Sequence, residues 1–138
     1  MSAQLEISAD LANLEKIRAF VQETVSQSTN DQEAIEDLVL VVDEVATNVI
    51  VHGYGGKSGS IWIEIIPSIT QIVVYIRDQG PPFDPTLQPN PQLNLPLEKR
   101  PFGKMGIFLL RLLTDRLEYR RTPQGMNELS LIKYIQES

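Results

Sequence analysis

The sequence predicts a single α+β domain. Three observations carry that expectation. Apolar residues recur at helical spacing in two stretches of the first half. Short strand-like runs come in two pairs, each joined by a few turn-forming residues. One further helical stretch separates the two pairs, and 138 residues suit one hydrophobic core.

Residues 4–7 read as a short edge strand. Ser8 or Asp10 then caps a helix carrying Leu11, Leu14, Ile17, Val21 and Val25 on one stripe. Residues 26–30 break it. A capping box, Thr29 with Gln32 or Asn30 with Glu33, opens a second helix. That helix has the stripe Ile35, Leu38, Val42, Val45, Val49, runs to about Val51 and ends at Gly53. Residues 53–59 are glycine-rich and expected to be mobile. Strands over 61–66 and 72–77 form a hairpin around Pro67-Ser68-Ile69-Thr70. Their incomplete alternation fits a sheet packed on helices at one face and partly covered at the other. Residues 80–102 hold seven of the nine prolines, and so long an irregular connection is usually functional or disordered. A helix over 105–115 follows, with Ile107, Leu110 and Leu113 inward. Strands over 116–121 and 127–136 close the chain around Thr122-Pro123-Gln124-Gly125.

Composition narrows the function. No apolar run is long enough to span a bilayer, so no membrane association is expected. The N-terminus lacks a basic region followed by an apolar stretch, and there are no cysteines, which favours a cytoplasmic setting. With a net charge of −6, direct nucleic-acid binding is not expected. The densest cations, Arg111, Arg116, Arg120 and Arg121, alternate with Asp115 and Glu118 and read as a mixed solvated surface.

Three short segments carry chemistry when taken together. The first is Asp43-Glu44-Val45-Ala46-Thr47-Asn48-Val49-Ile50-Val51-His52-Gly53. A helix advances roughly 100° per residue, so Glu44 and Asn48 share a face beside the core stripe, one turn apart. An amide oxygen suits Mg²⁺, and a carboxylate nearby can accept a proton from an attacking hydroxyl. On spacing alone, a solvated helix flank is the better fit. The second segment is Asp78-Gln79-Gly80-Pro81-Pro82-Phe83. A carboxylate at a strand end can accept from an exocyclic amine such as that of adenine, and Gly80 allows close backbone approach. A plain turn has the same residues. The third is Gly103-Lys104-Met105-Gly106-Ile107, whose glycines leave amides at a helix start free for phosphate oxygens, with Lys104 and Arg100 adding charge. His52 reads as structural at a helix C-terminus rather than catalytic, and Trp62 as a core residue rather than a stacking platform.

The order of these segments resembles the ATP-binding superfamily of DNA gyrase, heat-shock chaperones, histidine kinases and mismatch-repair ATPases. Within it, the whole chain looks like the small anti-sigma factor serine/threonine kinases. Residues 43–53 resemble that family's N-box, 78–83 its first glycine box and 103–107 its second. The resemblance implies a two-layer α/β sandwich, with a mixed, largely antiparallel sheet and helices on one face. It implies one ATP-binding kinase domain over 1–138, with a lid at about 80–106. By the same resemblance, Asn48 holds Mg²⁺ and Glu44 assists the attacking hydroxyl. Asp78 takes the adenine amine, and Gly80 and Phe83 shape the ring pocket. Gly103, Lys104, Gly106 and Ile107 belong to the lid against the phosphates of ATP. The implied partners are an anti-sigma factor antagonist, phosphorylated on serine or threonine, a sequestered sigma factor, and a second copy in a homodimer. The chain departs from the family pattern in two places. The lid motif Phe102-Gly103-Lys104-Met105-Gly106 has only two glycines, and the threonine usual near the last strand has no clear match in Gly125-Met126-Asn127-Glu128-Leu129-Ser130, where Ser130 is the nearest substitute. A regulator that uses nucleotide as a switch without phosphoryl transfer is the alternative.

Overall fold

Strand β1 (Ala3–Ser8) opens the chain, and Asp10 caps a following 3-10 turn by accepting from the Ala12 N–H at 2.9 Å. Helix α1 (Leu14–Ser26) and helix α2 (Gln32–Asn48) come next, then strands β2 (Ser60–Pro67) and β3 (Gln71–Asp78). Helix α3 (Gly106–Leu113) and strands β4 (Arg116–Arg121) and β5 (Asn127–Tyr134) complete the fold. The computed structural model describes residues 2–84, 86 and 106–136. Most of the proline-rich stretch, with Gly103 and Lys104, lies outside the described residues.

The five strands form one sheet in the order β1-β2-β3-β5-β4, and all four pairings are antiparallel. Period-two burial places Ile61, Ile63 and Ile65 of β2 and Ile72, Val74 and Ile76 of β3 on one face. They share a single core with Ile17, Val21 and Val25 of α1 and Ile35, Leu38, Val42 and Val45 of α2. Both hairpins and the edge position of the first strand therefore follow the expectation, as does the inward stripe of α3, where Ile107 and Leu110 are buried. An ion pair from Lys133 Nζ to Asp37 Oδ2 at 3.0 Å ties α2 to β5 across the layers.

Several local expectations need correction. Neither expected capping box opens α2. Asp31 caps it, accepting from the Ala34 N–H at 3.1 Å while its second oxygen accepts from the Gln136 N–H at 3.0 Å. Those backbone bonds, the one from Gln136 first, hold the Asp31 carboxyl below its ordinary range. Thr29 instead accepts from the Asp31 N–H at 3.0 Å. The α-helical part of α2 stops at Asn48, and residues 49–53 widen into a π-helical turn, closed by Tyr54 N–H to the Val49 carbonyl at 2.8 Å. Trp62 is half-buried on the sheet face away from the helices, because alternation sends its neighbours Ile61 and Ile63 inward.

Candidate functional site

A cleft of about 510 Å³, its open mouth included, lies between the end of α2, the end of β3 and the start of β5. Its lining includes Val45, Asn48, Gly53, Asp78, Phe83 and Asn127, with Ile76, Leu110, Tyr119 and Leu129 making the apolar floor and sides.

Asn48 is 6% exposed, and neither its amide oxygen nor its amide nitrogen has a partner among the described residues. Burying an unpaired amide costs on the order of 1–3 kcal/mol, so natural cores rarely keep one without a use. The π-helical turn begins at the next residue, a placement frequent at functional sites. Glu44, one turn earlier, is also buried, but it is not among the residues lining the cleft.

The opposite wall is the turn after β3. Asp78 is 6% exposed, and its Oδ1 accepts from the Gly80 N–H at 2.8 Å. A Cβ on Gly80 would stand 3.0 Å from that oxygen and 3.5 Å from the Gly53 backbone, so glycine is what lets the turn sit against the end of the π turn. Arg121 Nη1 donates to the Gly80 carbonyl at 2.9 Å and fixes the turn from the last hairpin. Tyr54 joins the two walls. Its hydroxyl donates to the Ser60 carbonyl at 2.7 Å and accepts from the Gln79 N–H at 2.8 Å. Its ring occupies the space a side chain at residue 59 would need, since a Cβ on Gly59 would meet it at 2.3 Å.

Residues 7–133 match the histidine kinase-like ATPase domain family. The chain belongs to that family. An anti-sigma F factor of a Thermoanaerobacter species is 32% identical over 75% of this chain and 72% of its own. One from Bacillus cytotoxicus is 28% identical over 97% of this chain and 92% of its own. These likenesses place the chain in the anti-sigma factor branch of the histidine kinase-like ATPases. A solved structure of RsbU and RsbW domains from Mycobacterium tuberculosis superposes on 99% of the chain with a TM-score of 0.66. Sequence identity there is 17%, and the chain spans about a third, 34%, of that longer protein.

In this ATPase-family fold, Asn48, Asp78 and Phe83 converge on one cleft, and Gly80 turns the backbone beside it. Ile107 is buried in the core instead, and Gly106 opens α3. His52 is exposed in the π turn and is not among the lining residues. Ser130 does not replace the missing threonine. It sits on the outer sheet face, paired with Tyr75, where strand alternation turns it away from the cleft. Asn127, which the sequence reading missed, lines the cleft. Its partner Asp78 lies 49 residues away, and only the register of β3 on β5 brings them together.

A metal ion fits what the cleft offers. Among the described residues no group of three or more carboxylate, imidazole or thiol side chains could cage one. Mg²⁺ needs no such cage, because it commonly takes one or two protein oxygens, with phosphates and waters filling the rest. The unpartnered amide oxygen of Asn48 is an appropriate single ligand. No helix among the described residues is long and apolar enough to cross a membrane.

Proposed function

We propose that the cleft binds ATP with Mg²⁺ and that the protein is a serine/threonine kinase acting on an anti-sigma factor antagonist, while sequestering a sigma factor as a homodimer. The observation that carries this reading is the pairing of an unpartnered buried carboxamide, Asn48, with a buried acceptor, Asp78, across one cleft. In the proposal Asp78 receives the adenine amine, the apolar floor of Ile76, Leu110 and Leu129 takes the ring, and Asn48 supplies an oxygen to the metal. Bound Mg²⁺ would neutralise charge on the phosphates. The acceptor hydroxyl oxygen bonds to the γ-phosphorus, the bond from that phosphorus to the bridging oxygen of ADP breaks, and the hydroxyl proton passes to Glu44. Positioning and charge neutralisation supply most of the acceleration in such transfers.

A second reading has one observation in its favour: Glu44 lies outside the cleft lining. On that reading, nucleotide switches partner binding and no phosphate moves. Incubating the purified chain with labelled ATP, Mg²⁺ and candidate antagonists separates the two. Label on a serine or threonine of an antagonist is the expected outcome. Binding of ATP and a sigma factor, with no transfer to any cognate antagonist, would retire the kinase and leave the switch.

A further inference from the structure

Asn127 opens β5 directly opposite Asp78 of β3, is 6% exposed and lines the cleft. Its amide nitrogen donates to the Pro81 carbonyl at 2.9 Å, to Asp78 Oδ1 at 3.0 Å and, at greater length, to the Gly80 carbonyl at 3.3 Å. Its amide oxygen accepts from the Tyr119 hydroxyl and from the Phe83 N–H. Every partner on the nitrogen side is an acceptor, and every partner on the oxygen side is a donor. Only one orientation of the carboxamide satisfies that set. Asp78 Oδ1 thus takes two hydrogen bonds, from Gly80 and Asn127, whereas Oδ2 has no partner among the described residues.

We propose that Asn127 is the positioning residue that sets the base specificity of the cleft, clamping Asp78 so that Oδ2 alone is presented to the base. This inference rests on the nucleotide reading above. A carboxylate oxygen accepts and cannot donate. Held in one plane, it pairs with a base bearing an exocyclic amine and opposes one bearing a carbonyl at that place. The torsion that turns a carboxylate is intrinsically broad, so the plane is fixed only by what its oxygens touch. Without the Asn127 bond, Asp78 keeps its local bond to Gly80 but can turn, and discrimination between the two kinds of base weakens. The Tyr119 hydroxyl stands behind the clamp and keeps the carboxamide from rotating.

The test is calorimetric titration of ATP and of inosine triphosphate, which carries a carbonyl where adenine has its amine. It uses the wild type, Asn127→Asp, Asn127→Ala and Tyr119→Phe, with circular dichroism confirming each fold. The wild type is expected to prefer ATP. Asn127→Asp keeps the shape but sets a second carboxylate against Asp78 and the two carbonyls, and should lower ATP affinity on the order of tenfold to a hundredfold. Asn127→Ala and Tyr119→Phe are milder and should narrow the ATP preference about threefold to tenfold. If Asn127→Asp does not fold, these two decide the matter. Equal proportional losses for both nucleotides would make Asn127 a packing residue and overturn the proposal, as would unchanged binding. A wild type that binds ATP without preferring it overturns the clamp alone. A wild type that binds neither nucleotide overturns the clamp together with the ATP reading.

Discussion

Asn127 and Glu128 are neighbours on β5 and face opposite sides of the sheet. On the outer side, Glu128 has both oxygens occupied: Arg77 Nε reaches Oε2 and Arg120 Nε reaches Oε1, each at 2.6 Å. Arg77 also reaches Glu64 at 3.2 Å and lies over the Tyr75 ring, 4.9 Å from its centre. Burial pushes Glu128 upward, but the guanidiniums of Arg120 and Arg77 outweigh it and hold the carboxyl below its ordinary range. On the inner side the polar groups are incomplete: among the described residues, Asn48 has no partner and Asp78 keeps one oxygen unengaged. The outer cluster satisfies itself and so contributes to the fold. The inner set is left short of partners that a nucleotide and a metal ion can supply. Polar burial therefore points to function here only where it is unsatisfied.

This contrast makes substitutions on the two sides separable. The largest effect is expected at Glu44. Glu44→Gln should keep most nucleotide affinity and lower phosphoryl transfer to the antagonist about 10²–10⁴-fold, the usual range for losing general-base assistance. A single-turnover assay with labelled ATP measures it, and unchanged transfer would remove Glu44 from the chemistry. On the outer face the effect is smaller and falls on stability. Glu128→Leu leaves two guanidiniums without their shared acceptor. Since Arg120 is largely exposed, the cost lies between that of surface and buried pairs, about 1–3 kcal/mol by urea unfolding. Nucleotide affinity should barely change. The smallest effect is the pH dependence of the same cluster. A carboxyl whose value is lowered in the folded state stabilises the protein above its unfolded value, near pH 4, and that contribution is lost as pH falls through the folded value. Glu128→Leu should flatten the acid limb of the stability profile, and an unaltered limb would mean that the cluster is screened by solvent.

Much of the fold was legible because it depends on local periodicity. The stripes of α1 and α2 and the pairs β2–β3 and β4–β5 each show in a window of a dozen residues. What failed depended on partners remote in sequence or on strand parity. Asp31, not Thr29 or Asn30, caps α2 because the chain end returns with the Gln136 N–H. Trp62 reads as core by its chemistry, yet its strand parity places it outside. Asn48 and Asp78 were legible as candidates because their segments match a family pattern, whereas the segment that holds Asn127 offers no clear match to the expected threonine. The signal that could have found it is positional. It is the first residue of a strand after a Pro-Gln-Gly turn, and antiparallel pairing of that strand with β3 sets it opposite the acidic turn. The nearby Ser130 was chosen for its hydroxyl, but three residues along a strand reverses the face.

The central claim is that Asn48 is left unpaired for a metal-bound nucleotide, and it is tested most directly by calorimetry on Asn48→Ala with ATP, in Mg²⁺ and in chelator. Alanine removes the only polar group at that position, while the Asp78 side of the cleft stays intact. The expected result is that the variant loses the Mg²⁺-dependent part of ATP affinity, retains the metal-free part, and unfolds at an unchanged or higher temperature. Equal losses with and without Mg²⁺, accompanied by a lower unfolding temperature, would contradict the account and make Asn48 a structural residue of α2.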